Sequence, residues 1–286
     1  MTEVSKAVLV TGCSSGIGRA TAERLAGAGW TVYASARTRD SLADLERQGC
    51  RTLTLDVTDE ASMSAAVAQI ERDEGAVGAL VNNAGYSQSG ALEQLPLERV
   101  RAQFETNVFG LLRLIQLVLP GMRRQRWGRI VNLSSMGGRL TLPGGGAYHA
   151  SKYAVEALSD ALRFEVRGFG VDVIVIEPGI IRSGFAARAV AGIEPGTEAD
   201  GLYEDFNAAV ARTTAEAYER GPLARLGGTP EDVAETIERA LRAECRPRTR
   251  YPVTPSARLM MGLRAVLPDR AWDRVVRGGY PQPGER

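Results

Sequence analysis

Three side chains near the middle of this sequence, Ser135, Tyr148 and Lys152, have the types and spacing for proton transfer to an oxygen atom. Tyr148 and Lys152 are four residues apart, so on a helix they share a face and an ammonium sits beside a phenol. A phenol ionises near pH ~10 in water, and a neighbouring cation favours the phenolate. Such a tyrosine exchanges protons with an alcohol as a general acid/base. Ser135 follows the apolar run Ile130-Val131-Asn132-Leu133, read as a buried strand, where its hydroxyl could hold a substrate oxygen; Ser134 competes for that part. His149 adjoins the tyrosine but points about 100° away around a helix, so it reads as packing or as the rim of the substrate site, not as a base.

A second constellation lies far upstream. In Thr11-Gly12-Cys13-Ser14-Ser15-Gly16-Ile17-Gly18, glycines follow one strand and open a helix, bringing a pyrophosphate against helix N–H groups and the positive end of the dipole. After the second strand, Tyr33-Ala34-Ser35-Ala36-Arg37 carries Ala36 where an NAD-specific site places an acid for the ribose, and Arg37 next to it. A guanidinium suits a phosphate dianion, so Arg37 favours NADP(H) over NAD(H); a solvated loop arginine is the alternative reading.

The elements that must position these groups alternate. Short β-rich runs at 7–11, 31–35, 52–56, 79–82, 129–133 and 172–177, with a last one near 250–253, flank helical patterns at 16–28, 41–48, 59–74, 97–124 and 147–167. Asp59 reads as an N-cap, and Pro96 as the opening of the long fourth helix. Right-handed crossovers then give an α/β fold with a doubly wound, Rossmann-type parallel sheet of about seven strands and helices on both faces. The whole of 1–286 reads as one such domain. The pattern loosens after Pro178-Gly179, through a stretch that includes Pro195, Gly196 and Gly201, so residues 184–228 read either as a mobile cover over a substrate or as ordinary surface helices. The tail, 257–286, carries Leu259, Met260, Leu263, Val266 and Leu267 among arginines at near-helical spacing, as a docked helix, a membrane-surface contact or an oligomer contact.

Composition narrows the classes. With 286 residues, 35 Lys+Arg and 34 Asp+Glu, the formal charge of +1 offers no field for nucleic acid or an anionic membrane. Apolar runs such as 77–81 and 111–119 fall short of the ~18–20 residues that span a bilayer, and the first residues lack a signal-peptide pattern, so a cytoplasmic protein without a transmembrane segment is expected. Cys13, Cys50 and Cys245 are scattered and His149 is the single histidine, so neither a disulfide framework nor a metal site is expected.

In combination, Ser135, then twelve residues, then Tyr148-x-x-x-Lys152, with the turn Gly12-x-x-x-Gly16-x-Gly18, resemble the signature of the simple, non-extended short-chain dehydrogenases/reductases. The stretches Asn107-Val108-Phe109-Gly110 and Tyr148-His149-Ala150-Ser151-Lys152 look most like the subgroup of 17β-hydroxysteroid and retinol dehydrogenases. The resemblance runs motif by motif from Ala7 to Ser183. It selects Ser135 over Ser134 and implies that Asn107 is a fourth catalytic member, bending its helix and anchoring a water joined to Lys152. It further implies that Lys152 contacts the nicotinamide ribose, and that Asp56 and Val57 meet the adenine. Asn83, Ala84 and Gly85 would line the adenosine side, with Asn82 bracing the sheet, and Pro178, Gly179, Ile181 and Ser183 would flank the nicotinamide. Ser15 departs from the basic residue that many NADP-binding relatives carry there. Expected activity is interconversion of a carbonyl and an alcohol on a small apolar substrate, with walls at 136–142 and under the cover. The alternative is a catalytically silent NADP-binding sensor or scaffold. Relatives pair two long helices across two-fold axes, implying a homodimer or homotetramer.

Overall fold

The computed structural model describes residues 4–193, 201–219 and 221–284. The chain starts β1 (Val8–Val10), α1 (Gly16–Gly27), β2 (Val32–Ala36), α2 (Ala43–Arg47), β3 (Arg51–Thr54), α3 (Glu60–Glu74) and β4 (Ala79–Asn82). It continues α4 (Leu97–Phe104), α5 (Gly110–Gln125), β5 (Gly128–Leu133), α6 (Gly146–Val166), β6 (Val171–Glu177), α7 (Phe185–Ala191), α8 (Glu204–Glu219) and α9 (Pro222–Arg225). Last come α10 (Pro230–Leu241), β7 (Arg250–Pro252), α11 (Pro255–Val266) and α12 (Asp269–Arg277).

The strands form one parallel sheet in the order β3-β2-β1-β4-β5-β6-β7, with the reversal of winding between β1 and β4. Both faces are covered, so inner strands are apolar on both sides and alternate between two cores. Leu9, Leu80 and Ile130 point into the layer with Leu114, Ile115 and Val118 of α5. Val8, Val10, Val81 and Val131 face the layer with Leu25 of α1 and Val233 and Ile237 of α10. Each fully buried aliphatic chain contributes about 1.5–3 kcal/mol of transfer free energy.

Several expectations change. The single helix over 97–124 is two helices joined by a π-helical turn, Glu105–Phe109, which carries Asn107. Pro96 is the residue before that first helix, not within it. Asp59 caps α3, its Oδ1 accepting from the N–H of Ala61 and Ser62 at 2.9 and 3.3 Å. Helix α10 was absent from the sequence reading, although Thr229 and Asp232 form a reciprocal capping box ahead of its apolar stripe. Residues 184–228 include α7, α8 and α9, while Pro195 and Gly196 lie outside the described residues. The tail is two helices, docked by Trp272, whose Nε1 donates to the Thr141 carbonyl at 3.2 Å. Trp272 packs with Met136, Leu140, Ile180 and Ala257 in a third buried cluster.

Candidate active site

The carboxyl ends of β1, β2, β4, β5 and β6 open onto one cleft of about 890 Å³, at the reversal point where such sheets bind ligands. Its floor is the glycine turn. Gly12 and Gly16 have φ of +72° and +59°, a region costly for other residues. Gly18 does not line the cleft; a Cβ there would stand 2.4 Å from both the Gly12 carbonyl oxygen and Asn83 Nδ2, so it serves the close packing of α1 on the turn. The side chain of Asn83 is likewise committed inward, donating to the Thr11 and Gly12 carbonyls at 2.8 and 3.2 Å. Thr11 Oγ1 returns the contact by accepting from the N–H of Asn83 and Ala84, both at 3.0 Å. Ser15 ends the turn without a side-chain cap, which leaves the first N–H groups of α1 facing the cleft beside Ser14, Gly16 and Ile17. That arrangement fits a pyrophosphate.

Further out, Arg37 is exposed on the cleft rim. Asp56 and Val57 line the opposite wall, with Asp56 Oδ1 accepting from both the N–H and the hydroxyl of Thr58. Ala84 and Gly85 close the side, and Pro178, Gly179, Ile181 and Ser183 border the other end. Asn82 stays in the sheet, where its Nδ2 donates to Asn132 Oδ1 at 3.0 Å.

At that end Ser135, Tyr148 and Lys152 converge. Ser135 Oγ donates to the Pro178 carbonyl at 3.5 Å and accepts the Gly137 N–H at 3.1 Å, and its hydroxyl neighbours the Tyr148 phenol on the cleft wall. Lys152 Nζ donates to the Leu133 carbonyl at 2.7 Å and lies 5.8 Å from the Tyr148 ring centre. One expectation is reversed: burial pushes the Tyr148 phenol up to about 12, with only the Ser135 hydroxyl pulling it down. Lys152 does not offset this, because its own burial brings the ammonium down to about 8.

Asn107 sits behind this group and does not line the cleft. The π turn aims its side chain at the loop after β4: Oδ1 accepts the Tyr86 N–H at 3.1 Å, and Nδ2 donates to the Tyr86 carbonyl and to Ser151 Oγ at 2.9 and 3.0 Å. Only Gly85 separates it from the lysine, since a Cβ there would meet Asn107 Oδ1 at 3.0 Å and Lys152 Nζ at 3.8 Å. His149 is buried, with Nδ1 3.1 Å from the Gly137 carbonyl and its imidazolium disfavoured by burial, so it packs the loop after Ser135.

The apolar walls come from 184–228, as the sequence reading had it, and not from 136–142. No residue of 136–142 lines the cleft; Met136 and Leu140 are sealed under Trp272. Phe185, Arg188 and Tyr218 line it from α7 and α8, with the Phe185 ring 5.5 Å from that of Tyr148. Sequence spacing carried no signal for Tyr218, which arrives by the tertiary path of α8.

The short chain dehydrogenase family pattern matches residues 6–193. The chain belongs to the short chain dehydrogenase family. It is therefore an oxidoreductase acting on CH–OH groups with a nicotinamide dinucleotide. This dehydrogenase is 36% identical over 276 residues to the uncharacterized oxidoreductase YbbO of Escherichia coli K12, covering 96% of this chain and 95% of that one. It is 34% identical to the NADPH-dependent 3-dehydrocapnine reductase of Ornithobacterium rhinotracheale, covering 93% and 94% of the two chains. A crystal structure of a short-chain dehydrogenase from Streptomyces avermitilis superposes with a TM-score of 0.77 at 35% identity, over 97% of this chain and 99% of that one. Similar solved structures include one holding NADP+ and one holding NAD. Among the described residues of this dehydrogenase, no helix is long and apolar enough to cross a membrane.

Proposed function

We propose that this chain is an NADP(H)-dependent reductase of ketones or aldehydes on an apolar substrate, reversible to the alcohol, with Tyr148 as general acid/base. The observation that carries the reading is that the Ser135 and Tyr148 hydroxyls, with Lys152 beside them, line one end of the cleft together. Two hydroxyls meeting there can both engage one substrate oxygen. Ser135 holds the carbonyl oxygen and Tyr148 delivers its proton as the alkoxide forms. Arg37, the N-terminal groups of α1, and Pro178 to Ser183 would hold the dinucleotide, which supplies the hydride. Lys152 contacts the nicotinamide ribose and, with the tyrosine, returns a proton from solvent along the Asn107 side. Support for NADP(H) is the basic rim at Arg37 without an acid at Ala36, together with the stated NADPH dependence of the capnine-reductase relative. Support for an apolar substrate is the aromatic wall of Phe185 and Tyr218 beyond the tyrosine.

Residues 184–228 act as the substrate cover within a single domain, and limited proteolysis tests this: cleavage there should slow when NADPH is bound, and equal rates would refute it. For the reaction itself, nicotinamide absorbance is followed with NADPH and NADH against steroid, retinoid, aryl and polyketide-like carbonyls. Turnover preferring NADPH and lost in Tyr148→Phe, with NADPH binding retained, is expected. Undiminished turnover in Tyr148→Phe would sink the assignment.

A further inference from the structure

Behind Lys152, on the side away from the cleft, lies a buried group of charges that the proton transfer does not use. Glu156 is one turn further along α6 and 6% exposed. Its Oε2 accepts from Arg250 Nε at 3.0 Å, while its Oε1 is buried without a hydrogen-bond partner. Arg250, on β7, also donates to Asp160 Oδ2 at 2.7 Å and lies 3.7 Å from Glu177 Oε1. Glu177 ends β6, immediately before Pro178-Gly179, and is met from its other side by Arg139 at 3.8 Å. The charged groups gathered here are thus Lys152, Glu156, Asp160 and Arg163 from α6, with Arg163 donating to Asp160 Oδ1 at 2.6 Å, Glu177 from β6, Arg250 from β7 and Arg139 from the loop after β5.

This arrangement exceeds the needs of packing. A clamp tying α6 to β6 and β7 would satisfy every carboxylate oxygen, because a buried charge without a partner is costly. Here one oxygen of Glu156 is left open on the helix face it shares with Lys152. Burial drives the lysine toward its neutral form, and the Glu156 charge opposes that. Arg250, divided among three carboxylates, limits how strongly Glu156 acts; Glu177, buried and next crowded by the Glu156 charge, is pushed up to about 7.

We propose that Glu156, held by Arg250, is a positioning residue that keeps Lys152 in its ammonium form through turnover, so that this pair sets the upper pH limit of the reaction. The proposal rests on the reading of Lys152 above. The chain has two lysines, Lys6 and Lys152, so protein labelled at the lysine ε-carbon shows two resonances, and the exposed Lys6 serves as the reference. Titrated without substrate, Glu156→Gln should release the Lys152 proton about one pH unit lower than wild type. Arg250→Met should release it at higher pH, because the carboxylates then lack their cation, and Arg250→Lys should restore the wild-type value. The falling alkaline limb of kcat/KM should move in the same opposite directions. A Lys152 titration unmoved in Glu156→Gln, or moved the same way in both variants, overturns the proposal. Should Arg250→Met fail to fold, Glu156→Gln decides alone, being nearly isosteric. Because the titration needs no turnover, it separates failure here from failure of the proposed reaction.

Discussion

Two side chains carry opposite demands. Lys152 is 6% exposed and its ammonium is brought down to about 8, whereas in an unfolded chain it sits near 10.5. Between those values the unfolded chain binds more protons, so stability rises with pH across that window and the ammonium is a burden below it. Lys152→Met should therefore stabilise the fold by about 1–2 kcal/mol at pH 7, with a smaller gain at pH 10, while abolishing turnover. Denaturant unfolding at the two pH values checks this. The proposed phosphate contact of Arg37 makes a prediction: Arg37→Ala should raise KM for NADPH about 10- to 100-fold and leave that for NADH unchanged, as loss of a charge-assisted contact demands. Equal effects on both cofactors in steady-state kinetics would return Arg37 to the solvent. The types and spacing of Ser135, Tyr148 and Lys152 were legible in the sequence, but the sign of the Tyr148 shift was not. It depends on how deeply the phenol is buried, a property of the tertiary packing that brings Phe185 of α7 against it and not of the i, i+4 pair.

At the scale of elements, the glycine turn and the strands were readable because β-rich runs end in glycines where backbone must bend. The π turn was visible only through resemblance to a family, since Glu105-Thr106-Asn107-Val108-Phe109 has an unbroken helical pattern. Its reason is tertiary: one extra residue in the turn lets Asn107 reach both the N–H and the carbonyl of Tyr86. Asn107→Leu removes both contacts and leaves the Tyr86 groups wanting partners, so a loss of about 2–3 kcal/mol in unfolding free energy is expected alongside reduced kcat. Helix α10 is legible in the sequence, since Thr229-Pro230-Glu231-Asp232 combines an N-cap, a first-turn proline and a reciprocal acid. Thr229→Ala should lower unfolding free energy by about 1 kcal/mol in denaturant titration without touching the cofactor kinetics. The loop 136–142 misled for a physical reason. An apolar loop beside a reactive serine reads as a pocket wall until a distant tryptophan, Trp272, is seen to cover it.

For the molecule as a whole, large apolar side chains stand in water on the α5 and α6 side. Phe109 is 51% exposed at the start of α5, and Tyr153 and Phe164 on α6 are 43% and 84% exposed. Pairing of this face with a second copy is expected, so light scattering at micromolar concentration should give a dimer or tetramer, and Phe164→Glu should shift the balance toward monomer. The parallel order of the sheet has a further consequence during synthesis. Strand β1 is made first yet lies in the sheet's interior, third from one edge, pairing with β2 through Val8 and Val32 and with β4 through Val8 and Ala79. A growing chain can zip β1 to β2 and β3 early, but the other edge of Val8–Val10 stays open until β4 has left the ribosome. That raw edge makes the half-synthesised protein a natural client for chaperones, and a slow codon between β3 and β4 would lengthen its exposure.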